Sequence, residues 1–120
     1  MENRQYQHHR GRLGEALREE ISTIVEGELA DPRIGLATVT EVVLAPDGKS
    51  ANVMIAVVGD EKEAQETMKG LLNATSFIRH EIADRLRLRQ APELFFRLDK
   101  SDQYESRIDE LLTRMKKRKK

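Results

Sequence analysis

Arg79, His80, Arg85, Arg87 and Arg89 crowd into one short stretch with only Glu81 and Asp84 to offset them. Guanidinium groups present a planar fork of donors that matches a phosphate, and a helix start nearby would add oriented backbone N–H groups. The chemistry on offer is therefore contact with the phosphates and riboses of a nucleic acid. A plainer reading stands beside it: cations late in a helix complement its dipole. An ideal helical wheel also sets Arg79 among apolar positions, where it would be a structural residue reaching out from the core. Upstream, Lys69, Gly70, Asn73 and Thr75 flank a step of small residues, Asn73-Ala74-Thr75-Ser76, and can add polar contacts to sugar and phosphate.

Other chemistry has little footing. The histidines are His8, His9 and His80, and the adjacent pair lacks the i, i+4 spacing that puts two ligands on one helix face. No P-loop, dinucleotide fingerprint or nucleophile elbow is present. Asp31-Pro32-Arg33 resembles an acid beside a base but reads better as the end of a helix. No catalytic residue, metal ligand or cofactor is expected.

The basic cluster depends on the stretch from Gly59 to Arg89 for its position. Asp60 and Glu63 spell a capping box, which starts a helix. Ala64, Met68, Leu71, Leu72 and Thr75 then recur at helical spacing, and Ile78, Ile82 and Leu86 repeat at i+4 beyond the step. Phe77 falls off that second stripe. Asn, Thr and Ser side chains compete for backbone hydrogen bonds, so a kink is expected near Ala74 to Ser76.

On the N-terminal side, Met1 to about His8 reads as a polar, frayed start. Leu13, Leu17, Ile21, Ile24, Val25 and Leu29 follow as the apolar stripe of a long helix, which Pro32 stops. Residues 36–44 and 50–58 are rich in β-branched residues around the turn Ala45-Pro46-Asp47-Gly48-Lys49, a hairpin. Alternation over Glu93 to Leu98 makes a third strand. Asp102 with Glu105 caps a last helix striped by Tyr104, Ile108, Leu111, Leu112 and Met115. The two helices between strands two and three form a crossover, so those strands can run parallel while strands one and two are antiparallel. The fold expected is α+β, in the order α-β-β-α-kink-α-β plus a C-terminal helix, with a three-stranded mixed sheet and helices on one face.

Length and charge set limits. At 120 residues the chain makes one domain, taken as residues 1–115, followed by a mobile basic tail at 116–120. Acids and bases both number 21, but five bases form Lys116-Lys117-Arg118-Lys119-Lys120, so residues 1–115 carry a formal −5. Nucleic-acid binding must come from local clustering. The tail reads either as an electrostatic tether to RNA or as solvated chain. With no cysteine, no long apolar run and no apolar leader, the expectation is a cytoplasmic protein that does not enter a membrane. Gly11-Arg12-Leu13-Gly14 is a Gly-x-x-Gly sequence in the wrong place, near the start of the first helix.

The element order resembles a type II KH domain, and the words match as well. Leu29-Ala30-Asp31-Pro32-Arg33-Ile34-Gly35, Thr38-Val39-Thr40-Glu41-Val42, Pro46-Asp47 and Ala51-Asn52-Val53 are similar to the ribosome-binding factor A family. So are Phe77-Ile78-Arg79-His80-Glu81-Ile82, Leu86-Arg87-Leu88-Arg89, Pro92-Glu93-Leu94-Phe95-Phe96 and Arg107-Ile108-Asp109-Glu110-Leu111-Leu112. The resemblance implies a monomeric assembly factor, not an enzyme, that binds the immature small (30S) ribosomal subunit and its 16S rRNA. It implies help in late maturation of the rRNA ends and decoding region, a role greatest in the cold, and release coupled to ribosome-assembly GTPases. In the family an Ala-x-Gly kink replaces the KH Gly-x-x-Gly loop; here the triplet is Ala74-Thr75-Ser76, with serine for glycine. The RNA-binding residues expected are Lys69, Asn73, Ala74, Thr75, Ser76, Arg79, His80, Arg85, Arg87 and Arg89. The alternative is a protein-interaction module whose acidic body and last helix dock a partner, RNA contact being incidental.

Overall fold

The structure, a computed structural model, describes residues 4–100 and 102–118, with the side chains of residues 11–100 and 108–116. Its elements run α1 (Arg4–Gly27), β1 (Ala37–Leu44), β2 (Ser50–Val57), α2 (Glu61–Asn73), α3 (Thr75–Arg85), β3 (Glu93–Leu98) and α4 (Asp102–Arg118). β2 is the central strand, antiparallel to β1 and parallel to β3. The expected order and strand directions are those found. The parallel pair follows from the α2–α3 crossover, since a tight turn can only return a strand antiparallel.

Burial follows the sequence periods. Leu17, Ile21 and Ile24 of α1, Leu71 of α2 and Ile78 and Ile82 of α3 are fully buried against Val39, Val53 and Ile55 of the sheet. Each fully buried Leu or Ile contributes about 1.5–3 kcal/mol, so the face shared by three helices and three strands dominates the fold. Asp99 follows β3, and its buried carboxylate accepts the Thr40 hydroxyl of β1, reaching across β2. α4 then packs on β1 and β2. Ala56, out of phase with the inward Val53, Ile55 and Val57, is fully buried, as are its partner Thr38 and nearby Thr40. α4 thus shields this end of the sheet face opposite α1–α3, so the helices lie on both faces and not on one as expected, because the out-of-phase residues Thr38, Thr40 and Ala56 also need cover. Arg114 pairs with Glu26 at 3.1 Å, tying α4 to α1.

Several boundaries differ from those read in the sequence. α1 starts at Arg4, ahead of the expected frayed end, and stops at Gly27, before Pro32. Glycine's wide backbone freedom makes it a poor helix residue, and it ends the helix first. Leu29 therefore lies beyond α1, although it still packs against the core from the connection. In that connection the Asp31 carboxylate accepts the Arg33 backbone N–H at 2.9 Å and its guanidinium at 2.6 Å. Ile34 lies over Gly70 of α2, and the Gly35 N–H donates to Thr67 Oγ1 at 3.1 Å. α4 continues through Arg118, so Lys116, Lys117 and Arg118 stand on a helix and not in a separate tail; Lys119 and Lys120 lie outside the described residues. The expected Asp102–Glu105 box and the side chains of His8 and His9 also lie outside them. Gly11 and Gly14 sit inside α1, not between helices.

Candidate nucleic-acid interface

The capping box at the start of α2 forms as expected: Glu63 N–H donates to Asp60 Oδ1 at 2.8 Å, and Asp60 N–H to Glu63 Oε1 at 2.9 Å. With its start fixed, α2 buries Thr67, Gly70 and Leu71. Leu72 does not join them. It is 73% exposed, because it stands 100° around the helix from Leu71, outside the arc that Thr67, Gly70 and Leu71 cover.

The helix breaks where the small-residue step predicted. Ala74, at φ −88° and ψ 0°, is the last cap of α2 and the first of α3. Its N–H donates to Gly70 O at 3.0 Å and its carbonyl accepts Ile78 N–H at 2.9 Å, so the ladder runs up to the break on both sides. Thr75 Oγ1 donates to Leu71 O at 3.1 Å, the back-bond of a hydroxyl onto the preceding turn that bends helices. Ala74 offers α3 no side-chain cap. Ser76 lies within α3, and among the described residues Arg87 is the only non-glycine with positive φ. Serine is thus accommodated in ordinary backbone and needs none of glycine's freedom.

Lys69, Leu72, Asn73, Ser76, Phe77 and His80 are all exposed, at intervals of three, one, three, one and three residues. That is the spacing of one helical face, here turned away from the core and continued across the break. Lys69 holds Glu66 only at 3.5 Å, with most of the lysine side chain in solvent. Four of the expected residues, Lys69, Asn73, Ser76 and His80, therefore stand together, while Ala74 and Thr75 are half-buried at the break.

The arginines do not form one cluster. Arg79 is half-buried and donates from Nε to Pro92 O at 3.0 Å and from Nη2 to Ala91 O at 2.8 Å, fastening α3 to the start of β3. It borders a cleft of about 430 Å³ also lined by Lys49, Gln90 and Glu93. Arg85 is engaged by Glu28, by Glu81 at 3.0 Å and by Glu20 at 3.6 Å, bridging α1 and α3. Its hydrogen bonds to Glu28 and Glu81 raise its pKa further, and the same guanidinium lowers that of Glu28. Both are committed within the fold, which the sequence shows for Arg79 only as one of two readings and for Arg85 not at all, because Glu28 is distant in the chain.

Arg87 and Arg89 are exposed beyond α3. Arg87 has φ +55°, its N–H donates to Asp84 O at 3.3 Å, and Leu88 N–H donates to Ala83 O at 2.8 Å. These bonds make a Schellman cap, whose left-handed position is normally glycine's. Leu72 and Phe77 were not among the expected site residues. Phe77 already falls off the core stripe in the sequence, which is the signal that it faces outward.

Such an arrangement can hold phosphates and sugars through Lys69, Arg87 and Arg89, with amide, hydroxyl and imidazole groups between. Among the described residues no group of three His, Asp or Glu is placed to hold a metal ion, and no helix is long and apolar enough to cross a membrane.

Comparison with known proteins adds a family and relatives. The family model described as ribosome-binding factor A matches residues 9–112. A ribosome-binding factor A from Koribacter versatilis is 62% identical over 120 residues, covering 100% of this chain and 98% of that one. The crystal structure of ribosome-binding factor A from Thermus thermophilus is similar with a TM-score of 0.57 and 32% identity, over 77% of this chain and 92% of that one. A homology model of the Thermus thermophilus factor, fitted into the cryo-EM map of its complex with the 30S subunit, is similar with a TM-score of 0.54 and 33% identity, over 76% and 91% of the two chains.

Proposed function

Because the chain belongs to the ribosome-binding factor A family, we propose that it binds the immature small ribosomal subunit through 16S rRNA and assists its late maturation. The observation that carries this is the complex of the Thermus thermophilus relative with the 30S subunit. The geometry supports a role for the exposed face that runs across the α2–α3 break: Lys69, Asn73, Ser76 and His80 project from it, and Arg87 and Arg89 stand beyond α3. Arg79 and Arg85 hold the elements that present this face, and Ala74 and Thr75 shape its bend.

The mechanism is positional. A bound factor favours one rRNA conformation by its differential affinity for it, with no bond made or broken. The factor works as a monomer in the cytoplasm, matters most in the cold, and leaves the subunit under the action of assembly GTPases. The basic end of α4 adds attraction without sequence preference.

Sedimentation of the protein with small subunits, large subunits and free 16S rRNA at two salt concentrations tests the reading. A variant with residues 116–120 changed to glutamine runs beside the wild type. Selective co-sedimentation with small subunits by both proteins, weakening steeply with salt, is the expected result. Equal binding to all three, or binding lost with the basic end, would refute it.

A further inference from the structure

The face across the helix break carries more than charge. Leu72 is 73% and Phe77 45% exposed, among the most open of the large apolar side chains in the described residues. Neither packs on the core, while Lys69, Asn73, Ser76 and His80 interleave with them along the same stripe.

From this juxtaposition we infer that the face is a platform for an unpaired RNA base, with Phe77 stacking on the base and Leu72 bordering it. The inference rests on the rRNA-binding reading above and names the state of the RNA at that site. A duplex presents phosphates, sugars and groove edges, which an exposed Phe and Leu do not serve. A splayed base offers a π-face to an aromatic ring and hydrogen-bonding edges to amide, hydroxyl and imidazole groups. Charge agrees: Lys69 stands on the stripe, Arg87 and Arg89 lie beyond it, and along the stripe itself no acid falls between Lys69 and His80. Stable protein docking, by contrast, buries about 800 Å² on each partner around an apolar centre. Two apolar side chains separated by polar ones do not make such a centre.

The test uses the full chain, Phe77→Ala and Phe77→Trp. Binding is measured by fluorescence anisotropy to a labelled single strand of about ten nucleotides, within the usual site size, and to a blunt-ended two-strand duplex of similar length, which has no loop; sedimentation with small subunits runs in parallel. The expected result is that Phe77→Ala weakens binding to the single strand by about ten-fold or more, since a base–aromatic stack is worth about 5- to 150-fold. Duplex binding and the salt slope stay unchanged, and Phe77→Trp restores single-strand affinity. Equal weakening on both probes, or none on either, overturns the proposal. Loss of subunit binding by Phe77→Ala with both naked RNAs still bound also overturns it, because the face would then meet a protein. Failure of the wild type to sediment with small subunits counts against the rRNA-binding reading instead, and the oligonucleotide arm still decides the platform.

Discussion

Arg87→Gly separates the two roles of the residue that closes α3. Its φ of +55° and the two cap bonds place it at the left-handed position of a Schellman motif. An L-residue with a Cβ carries a cost of about 1–2 kcal/mol there, which glycine avoids. Glycine returns about 0.5–1 kcal/mol of this through greater freedom in the unfolded chain, and losing a cation at the helix end removes about 0.3 kcal/mol more. The net expectation is a gain of about 0.5 kcal/mol. With an unfolding entropy of about 2.1 cal/mol/K per residue, that raises the Tm by about 2 °C. Arg87→Ala keeps the left-handed cost and loses the guanidinium, so its stability stays within about 0.5 kcal/mol of wild type. Both variants should bind small subunits more weakly, with the slope of log affinity against log salt reduced by about one. Urea denaturation and co-sedimentation read the two effects separately. A destabilised glycine variant would refute the backbone argument, and unchanged binding in both variants would remove Arg87 from the interface.

Three further substitutions probe the parts that hold the face in place. A Cβ at Gly70 would meet Ile34 Cγ1 at 2.5 Å, so Gly70→Ala should lower stability by about 1 kcal/mol in urea denaturation, overpacking outweighing the gain in helix propensity. Arg79→Ala leaves the Ala91 and Pro92 carbonyls without their donors; a loss of about 2 kcal/mol is expected, and an unchanged melt with lost RNA binding would instead make Arg79 a contact residue. Hydrogen bonds from Arg33 hold the Asp31 carboxyl down at about 2. A depressed folded-state pKa gives stability that is present above the unfolded value near 4 and lost as pH falls toward 2. Wild type should therefore exceed Asp31→Asn in Tm at neutral pH, and the difference should shrink as pH falls from about 5 through 2 and be gone by about pH 1; a constant difference would show that the pair contributes through shape alone.

Local signals in the sequence carried far. The Asp60–Glu63 box, the turn at Pro46-Asp47-Gly48 and the small-residue step at Ala74 each specify their structure within a few residues. Strand directions followed because a short turn joins β1 to β2 and a helical crossover joins β2 to β3. Long-range pairings were not legible. Nothing near Arg85 announces that Glu28 will sit beside it, and nothing near Arg87 announces the cap that forces its positive φ. Helix ends also resisted, since Gly27 and Pro32 both break helices and the spacing of Leu29 favoured the later one. Leu72 was counted on the stripe with Leu71 because i+4 spacing from Met68 looks the same whether or not the neighbouring arc is covered. The exposed stripe from Lys69 to His80 could have been found by asking which helical positions remain after the core is assigned.

The central claim is that this stripe meets the small subunit. Lys69→Glu combined with His80→Glu reverses the charge at one exposed position and adds an acid at a second, neither of which the core uses. Co-sedimentation with small subunits at moderate salt, alongside a thermal melt, tests it directly. The account predicts loss of subunit binding with an unchanged Tm; subunit binding equal to wild type would contradict it.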